Sequence, residues 1–248
     1  MYTPIEAKAD LIAFYQKRLK EGMSHQNAFY AAMFHTLDEN IVLLMKKLAA
    51  LDLSNKTVVV FTSDNDGFIN DWEEQSVTSN TPLPSGKGAL YEGSIRVPTL
   101  IRWPGVSIPG TRSDYPITTQ DFYPTLLEMA DLKADPVQLK ELDGISMVPV
   151  LKSPKAKMKQ RNLYLHFFPH YFATTGPVSA IRHENWKLLE FHEDDQVELY
   201  DLETDQGEMK SLAKVNQIKA EAIPILLQGW RQNINASMPI PNPNFGKH

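Results

Sequence analysis

The amino-acid sequence predicts an α/β fold: a parallel-rich sheet with helices over 1–145, then a small antiparallel β-sheet plus a C-terminal helix over 146–248. Three observations carry this. Two stretches of helical apolar spacing run into an unalternating apolar segment, the order expected of helices beside a strand buried on both faces. A long polar, turn-rich stretch comes after that segment, where long loops are disproportionately functional. After residue 160, four short strand-like runs are separated by hairpin-length gaps, which implies antiparallel pairing rather than crossovers.

Each element has its own warrant. Residues 5–21 place Ile5, Leu11, Ile12, Phe14, Tyr15 and Leu19 at helical spacing before Gly22. Residues 26–51 continue with Phe29, Ala32, Met33, Leu37, Ile41, Leu44, Met45 and Leu48. Residues 58–62 (VVVFT) are short and β-branched, and 97–103 (VPTLIRW) repeat that character before Pro104 and Gly105. A helix is expected over 121–132, with Pro124 early in it. The runs at 162–168, 178–183, 186–192 and 197–202 make the antiparallel part, and 215–234 its helix.

Composition narrows the function. Of 248 residues, 42% are hydrophobic and 22% charged, which is ordinary for a globular chain and argues against disorder. The formal charge of −5 lacks the cationic excess of a nucleic-acid surface. No apolar run approaches the roughly 20 residues of a membrane span. The first residues show no basic segment leading into an apolar one, so no signal peptide is expected. The absence of cysteine removes disulfides, cysteine-ligated metals and a thiol nucleophile, and leaves the redox compartment open.

Asp64 and Asn65 stand just after the 58–62 segment, and ligands of open α/β sheets bind beyond the carboxyl ends of strands. A carboxylate beside an amide oxygen suits a hard cation such as calcium or magnesium. The run Asp-Asn-Asp-Gly is equally good turn chemistry. Further on, Gly86-Lys87-Gly88 can bring a compact positive charge against an oxyanion, or can be a surface turn. It lacks the spacing of a P-loop.

The combination is more specific than its parts. TVVVFTSDNDG, PLPSGKGALYEGSIRVPTLIRWPG, TTQDFYPTLLEMADL and ELYDLETDQGEMKSLA, in that order, closely resemble the second half of a sulfatase of the arylsulfatase type. The resemblance implies an alkaline-phosphatase-like fold and calcium-assisted hydrolysis of sulfate esters. It implies that Asp64 and Asn65 ligate the metal and that Lys87 contacts the sulfate oxygens. A dication and an ammonium would offset charge as the bond to sulfur breaks.

The family's nucleophile is a formylglycine made within C/S-x-P-x-R, and no such pentapeptide occurs here. By the resemblance, that motif, an aspartate pair and further lysine and histidine residues belong to a region before Met1. The chain is therefore expected to supply part of an active site, to be inactive alone, and to need the N-terminal half of the same enzyme as partner. The parent enzyme is expected to be exported and to act on sulfated carbohydrate.

The segment YLHFFPHYF resembles a stretch near the substrate cleft of bacterial sulfatases, which makes His166 and His170 substrate-binding candidates or packed histidines. His25 and His35 read as structural, and Glu92 and Arg96 as braces of the YEG loop. Trp186 and Trp230 read as packing residues. Two departures from the family pattern stand out: Asp66 and Ser94 occupy positions where glycine is usual. The rival readings are a phosphoester or phosphonate hydrolase of the same superfamily and an inert anion-binding chain.

Overall fold

The computed structural model describes residues 4–72, 74–133, 135–167 and 175–240. Helix α1 spans Ala9–Gln16 and α2 spans Ala28–Ala50. Asn27 caps α2 by accepting from Tyr30 N at 3.0 Å, which satisfies one of the orphan donors of the first turn. Among the described residues no helix is long and apolar enough to cross a membrane.

The chain divides into two interleaved units, Met1–Glu39 with Ser63–Val97 and Arg161–His248, and Asn40–Thr62 with Pro98–Gln160. The second unit holds strands β1 (Val59–Thr62) and β4 (Thr99–Arg102). Here one expectation is corrected. The two strands pair antiparallel, Val59 opposite Arg102 and Thr62 opposite Thr99, rather than joining a parallel sheet. A parallel partner needs a crossover, usually helical. The connection instead carries the hairpin β2 (Asp71–Trp72) and β3 (Gln75–Ser76) and the single turn α3 (Glu92–Ile95), so the chain returns in the opposite sense. Burial on both faces is not realised either: Val60 is 36% exposed and Leu100 62%.

The same unit closes with a 3₁₀ turn (Thr119–Asp121) and helices α4 (Phe122–Met129), α5 (Pro136–Glu141) and α6 (Val148–Lys152). The last two are not legible in the sequence, being too short to show a period. Asp121, fully buried, accepts from Thr118 N (2.7 Å) and Ile145 N (2.8 Å). Thr125 donates to Asp121 O (2.5 Å) and accepts from Met147 N (2.8 Å). The aspartate and threonine of TTQDFYPT therefore knit α4 to residues 145–147.

The first unit is built on a four-stranded antiparallel sheet of β5 (Leu163–Phe167), β6 (Val178–His183), β7 (Trp186–Phe191) and β8 (Val197–Asp201), in that order. Period-two alternation splits its side chains between two cores. Ile181, Leu188 and Leu199 pack under helix α7 (Gln217–Asn233) with Ile223 and Leu227. Trp230 of that helix stacks on Tyr164, ring centroids 4.9 Å apart. Val178, Ala180, Leu189, Tyr200 and Leu202 of the opposite face pack against Leu90, Tyr91 and Ile95. That second core presses the glycine–lysine loop onto the sheet.

Candidate active site

Asp64, Asn65 and Lys87 stand on two neighbouring backbone segments of the first unit. Asp64 is exposed and Asn65 half-buried in a turn where Ser63 Oγ donates to Asn65 O at 2.7 Å. Asp66, partly buried, folds back on its own turn: its Oδ1 accepts from Gly67 N at 2.9 Å, and partial burial pushes its carboxyl pKa up. Two backbone bonds then tie this turn to the segment 87–94. Lys87 N donates to Gly67 O at 3.1 Å, and Asp66 N donates to Ser94 O at 3.1 Å. The Asp64–Asn65 corner and the Lys87 loop are thereby held side by side.

The loop owes its shape to close backbone approach. A Cβ on Gly93 would collide with the carbonyl oxygen of Pro84, so no other residue fits there without displacement. Lys87 itself is half-buried.

Beneath the loop lies a charge cluster. Lys187 of β7, 1% exposed, places Nζ 3.0 Å from Glu92 Oε1 and 2.9 Å from Glu208 Oε1. Glu208 Oε2 also accepts from Glu92 N at 2.6 Å. Arg96 lies 3.5 Å from the second oxygen of Glu92. Two carboxylates thus face two cations, which is how buried charge is tolerated. Burial pushes the Glu208 pKa up, opposed by Lys187. Beside them Glu198 Oε2 accepts from Tyr91 (2.7 Å) and Tyr200 (2.9 Å). Burial, then the bond to Glu198, raises both phenol pKa values. Glu92 and Arg96 are braces, in agreement with the sequence.

Lys187 and Glu208, which hold Glu92 of the loop, are not among the residues singled out from the sequence. The signal was available: in WKLLEF, alternation puts Lys187 on the side of Leu189 and Phe191, and an inward lysine demands a carboxylate.

His166 lies on the other face of the sheet. Its Nδ1 is 2.7 Å from Ser179 Oγ and its Nε2 2.9 Å from Ser237 O. His170 lies outside the described residues. His35 bonds Tyr15 OH (3.2 Å) and His25 bonds Thr78 Oγ1 (3.2 Å), both structural in kind. Among the described residues no three His, Asp or Glu side chains gather as a metal cluster.

This architecture is alkaline-phosphatase-like, the fold of its structural neighbours. The sulfatase family model matches residues 4–132, and that of the N-sulphoglucosamine sulphohydrolase C-terminal region matches 86–228; the chain belongs to the sulfatase family. A sulfatase of Formosa agariphila is 31% identical over 231 residues, covering 87% of this chain and 41% of that protein. The N-acetylglucosamine-6-O-sulfatase of Bacteroides thetaiotaomicron is 27% identical over 191 residues, covering 74% of this chain and 31% of that protein. The crystal structure of Ps i-CgsB in complex with k-i-k-neocarrahexaose matches with a TM-score of 0.76 at 26% identity, over 95% of this chain and 48% of that one. The chain spans less than half the length of each.

Proposed function

We propose that this chain contributes the metal corner and the anion-binding lysine of a sulfatase that hydrolyses sulfate esters of carbohydrate. The observation that carries the reading is the junction at Gly67 O, which sets the Lys87 loop against the Asp64–Asn65 turn. The carboxylate of Asp64 and the side-chain oxygen of Asn65 fit a hard cation as two of the six to eight oxygen donors calcium takes. Bound there, calcium would draw charge from the sulfate oxygens. Lys87 would add an ammonium to the same anion, its backbone fixed by the Gly67 bond so that little reorganisation is needed as charge develops. The nucleophile, a formylglycine in this family, would come from outside the 248 residues. A carbohydrate substrate is supported by the relatives whose names or ligands are sugars.

The test is a hybrid in which this chain replaces the matching region of the Formosa agariphila sulfatase. Sulfate release from sulfated oligosaccharides is expected, and Lys87→Ala should lower kcat/KM by roughly 100-fold, the scale of losing one oxyanion donor. Asp64→Ala should lower turnover and raise the calcium concentration that turnover needs. A folded hybrid whose turnover is indifferent to Lys87→Ala would refute the assignment.

A further inference from the structure

Asn80 lies in the turn-rich stretch between the two halves of the candidate site. Its side-chain nitrogen Nδ2 reaches three backbone carbonyls, Gly67 O at 3.1 Å, Ser85 O at 3.1 Å and Gly93 O at 2.7 Å. These belong to three different pieces of the site: the turn after Asp64 and Asn65, the entry to Lys87, and helix α3 with Glu92. Carbonyls only accept, so the nitrogen and not the oxygen of the amide must face them, and the partners settle its orientation. Two amide hydrogens serve three acceptors, so one hydrogen is shared.

Space is as tight as the bonding. A Cβ built on Gly86 would lie 3.0 Å from Asn80 Nδ2 and 2.5 Å from Gly67 O. Asn80 is itself anchored, because its carbonyl accepts from Leu83 N at 2.9 Å, and the Ser79 and Thr81 hydroxyls on either side bond each other at 2.7 Å. An asparagine that merely forms a turn bonds its own backbone two residues on. Here the acceptors lie 5 and 13 residues away.

We infer that Asn80 is a positioning residue: its NH₂ group holds the metal corner, the Lys87 loop and the Glu92 helix in one register. The value of that register for sulfate rests on the sulfatase reading above, but the register itself does not. Aspartate has the same shape and no donor, so Asn80→Asp would turn three attractive contacts into three repulsive ones. Alanine would leave the carbonyls without this donor.

The test uses the chain itself. In the wild type, the Asn80 side-chain amide protons should exchange with solvent at least tenfold slower than those of exposed asparagines, read by NMR. In Asn80→Asp and Asn80→Ala, exchange of the Lys87 and Asp66 amides should accelerate at least tenfold while β6 and β7 amides keep their rates. In the hybrid described above, the same substitutions should lower affinity for inorganic sulfate in calcium about tenfold. Leu227→Ala, in the core under α7, should lower the Tm without changing sulfate affinity, which separates positioning from stability.

Fast exchange of the Asn80 amide in the wild type, or unchanged Lys87 and Asp66 exchange in a folded variant, overturns the clamp. Accelerated exchange with unchanged sulfate affinity overturns its role in the site. A wild-type hybrid that binds no sulfate refutes the sulfatase reading of this chain's site, and the exchange rates of the chain itself still decide whether Asn80 fastens the three segments.

Discussion

Ser94 carries a buried hydroxyl, 2% exposed, that meets no hydrogen-bond partner among the described residues. It stands where glycine is usual in the resembled motif, and a buried unpaired hydroxyl costs stability. Ser94→Ala should therefore raise the unfolding free energy by about 1 kcal/mol, measured by urea denaturation, with sulfate affinity unchanged; a loss of that size would reveal a partner. Lys187 behaves oppositely. Lys187→Met would leave Glu92 and Glu208 facing each other without their shared cation, and should cost about 3–5 kcal/mol. The double change Lys187→Met with Glu208→Gln should recover much of this, because a buried carboxylate is then replaced by a neutral group. A double-mutant cycle in denaturant checks both, and purely additive losses would mean that Lys187 and Glu208 are not coupled.

The sheet and α7 show which elements a sequence can disclose. Strand β6 begins and ends where the sequence predicts, and β7 and β8 agree to within a residue, because alternation and hairpin gaps are local signals. The sense of the β1–β4 pair is not legible, since it depends on what the connection does in space. Asn80 is hidden for a related reason: in NTPLPSGKG it reads as an ordinary turn former, and its three acceptors are set by folding. The cluster joining the sheet to α7 is equally hidden. Ser179 Oγ lies 2.7 Å from both His166 Nδ1 and His192 Nε2, and Arg231 donates to it at 3.3 Å and to Glu190 at 2.9 Å. Since His166 Nε2 must donate to Ser237 O, a neutral His166 accepts the Ser179 proton at Nδ1. Burial lowers the His192 pKa, helped by Arg231 and His166 and opposed by Glu190 and Asp195. A depressed pKa means the folded state binds this proton less readily than the unfolded chain. Its stabilising contribution is thus present above pH 6.5, the unfolded value, and is lost as pH falls through the folded value. His192→Gln, which can still bond Ser179, should flatten the fall in stability as pH drops below 6.5, followed by thermal melts; an unchanged slope would assign that fall to other groups.

At the scale of the whole molecule, the exposed apolar side chains set behaviour in solution. On α2, Leu43 is 62% and Leu44 56% exposed, next to the half-exposed Val42. An isolated chain with such surface should self-associate and bind hydrophobic dyes. Leu43→Lys with Leu44→Glu should reduce both, by light scattering and dye fluorescence, at little cost in stability; unaltered association would place the sticky surface elsewhere. The fastening of the lysine loop has a further consequence, in time rather than space. Glu92 meets Lys187 across 95 positions of chain and Glu208 across 116. During synthesis, every residue proposed to meet metal or sulfate leaves the ribosome long before Lys187, the buried cation of the brace. A premature stop codon just upstream of residue 187 would yield a polypeptide with Asp64, Asn65 and Lys87 all translated, yet with Glu92 left to Arg96 alone and the loop without its buried support.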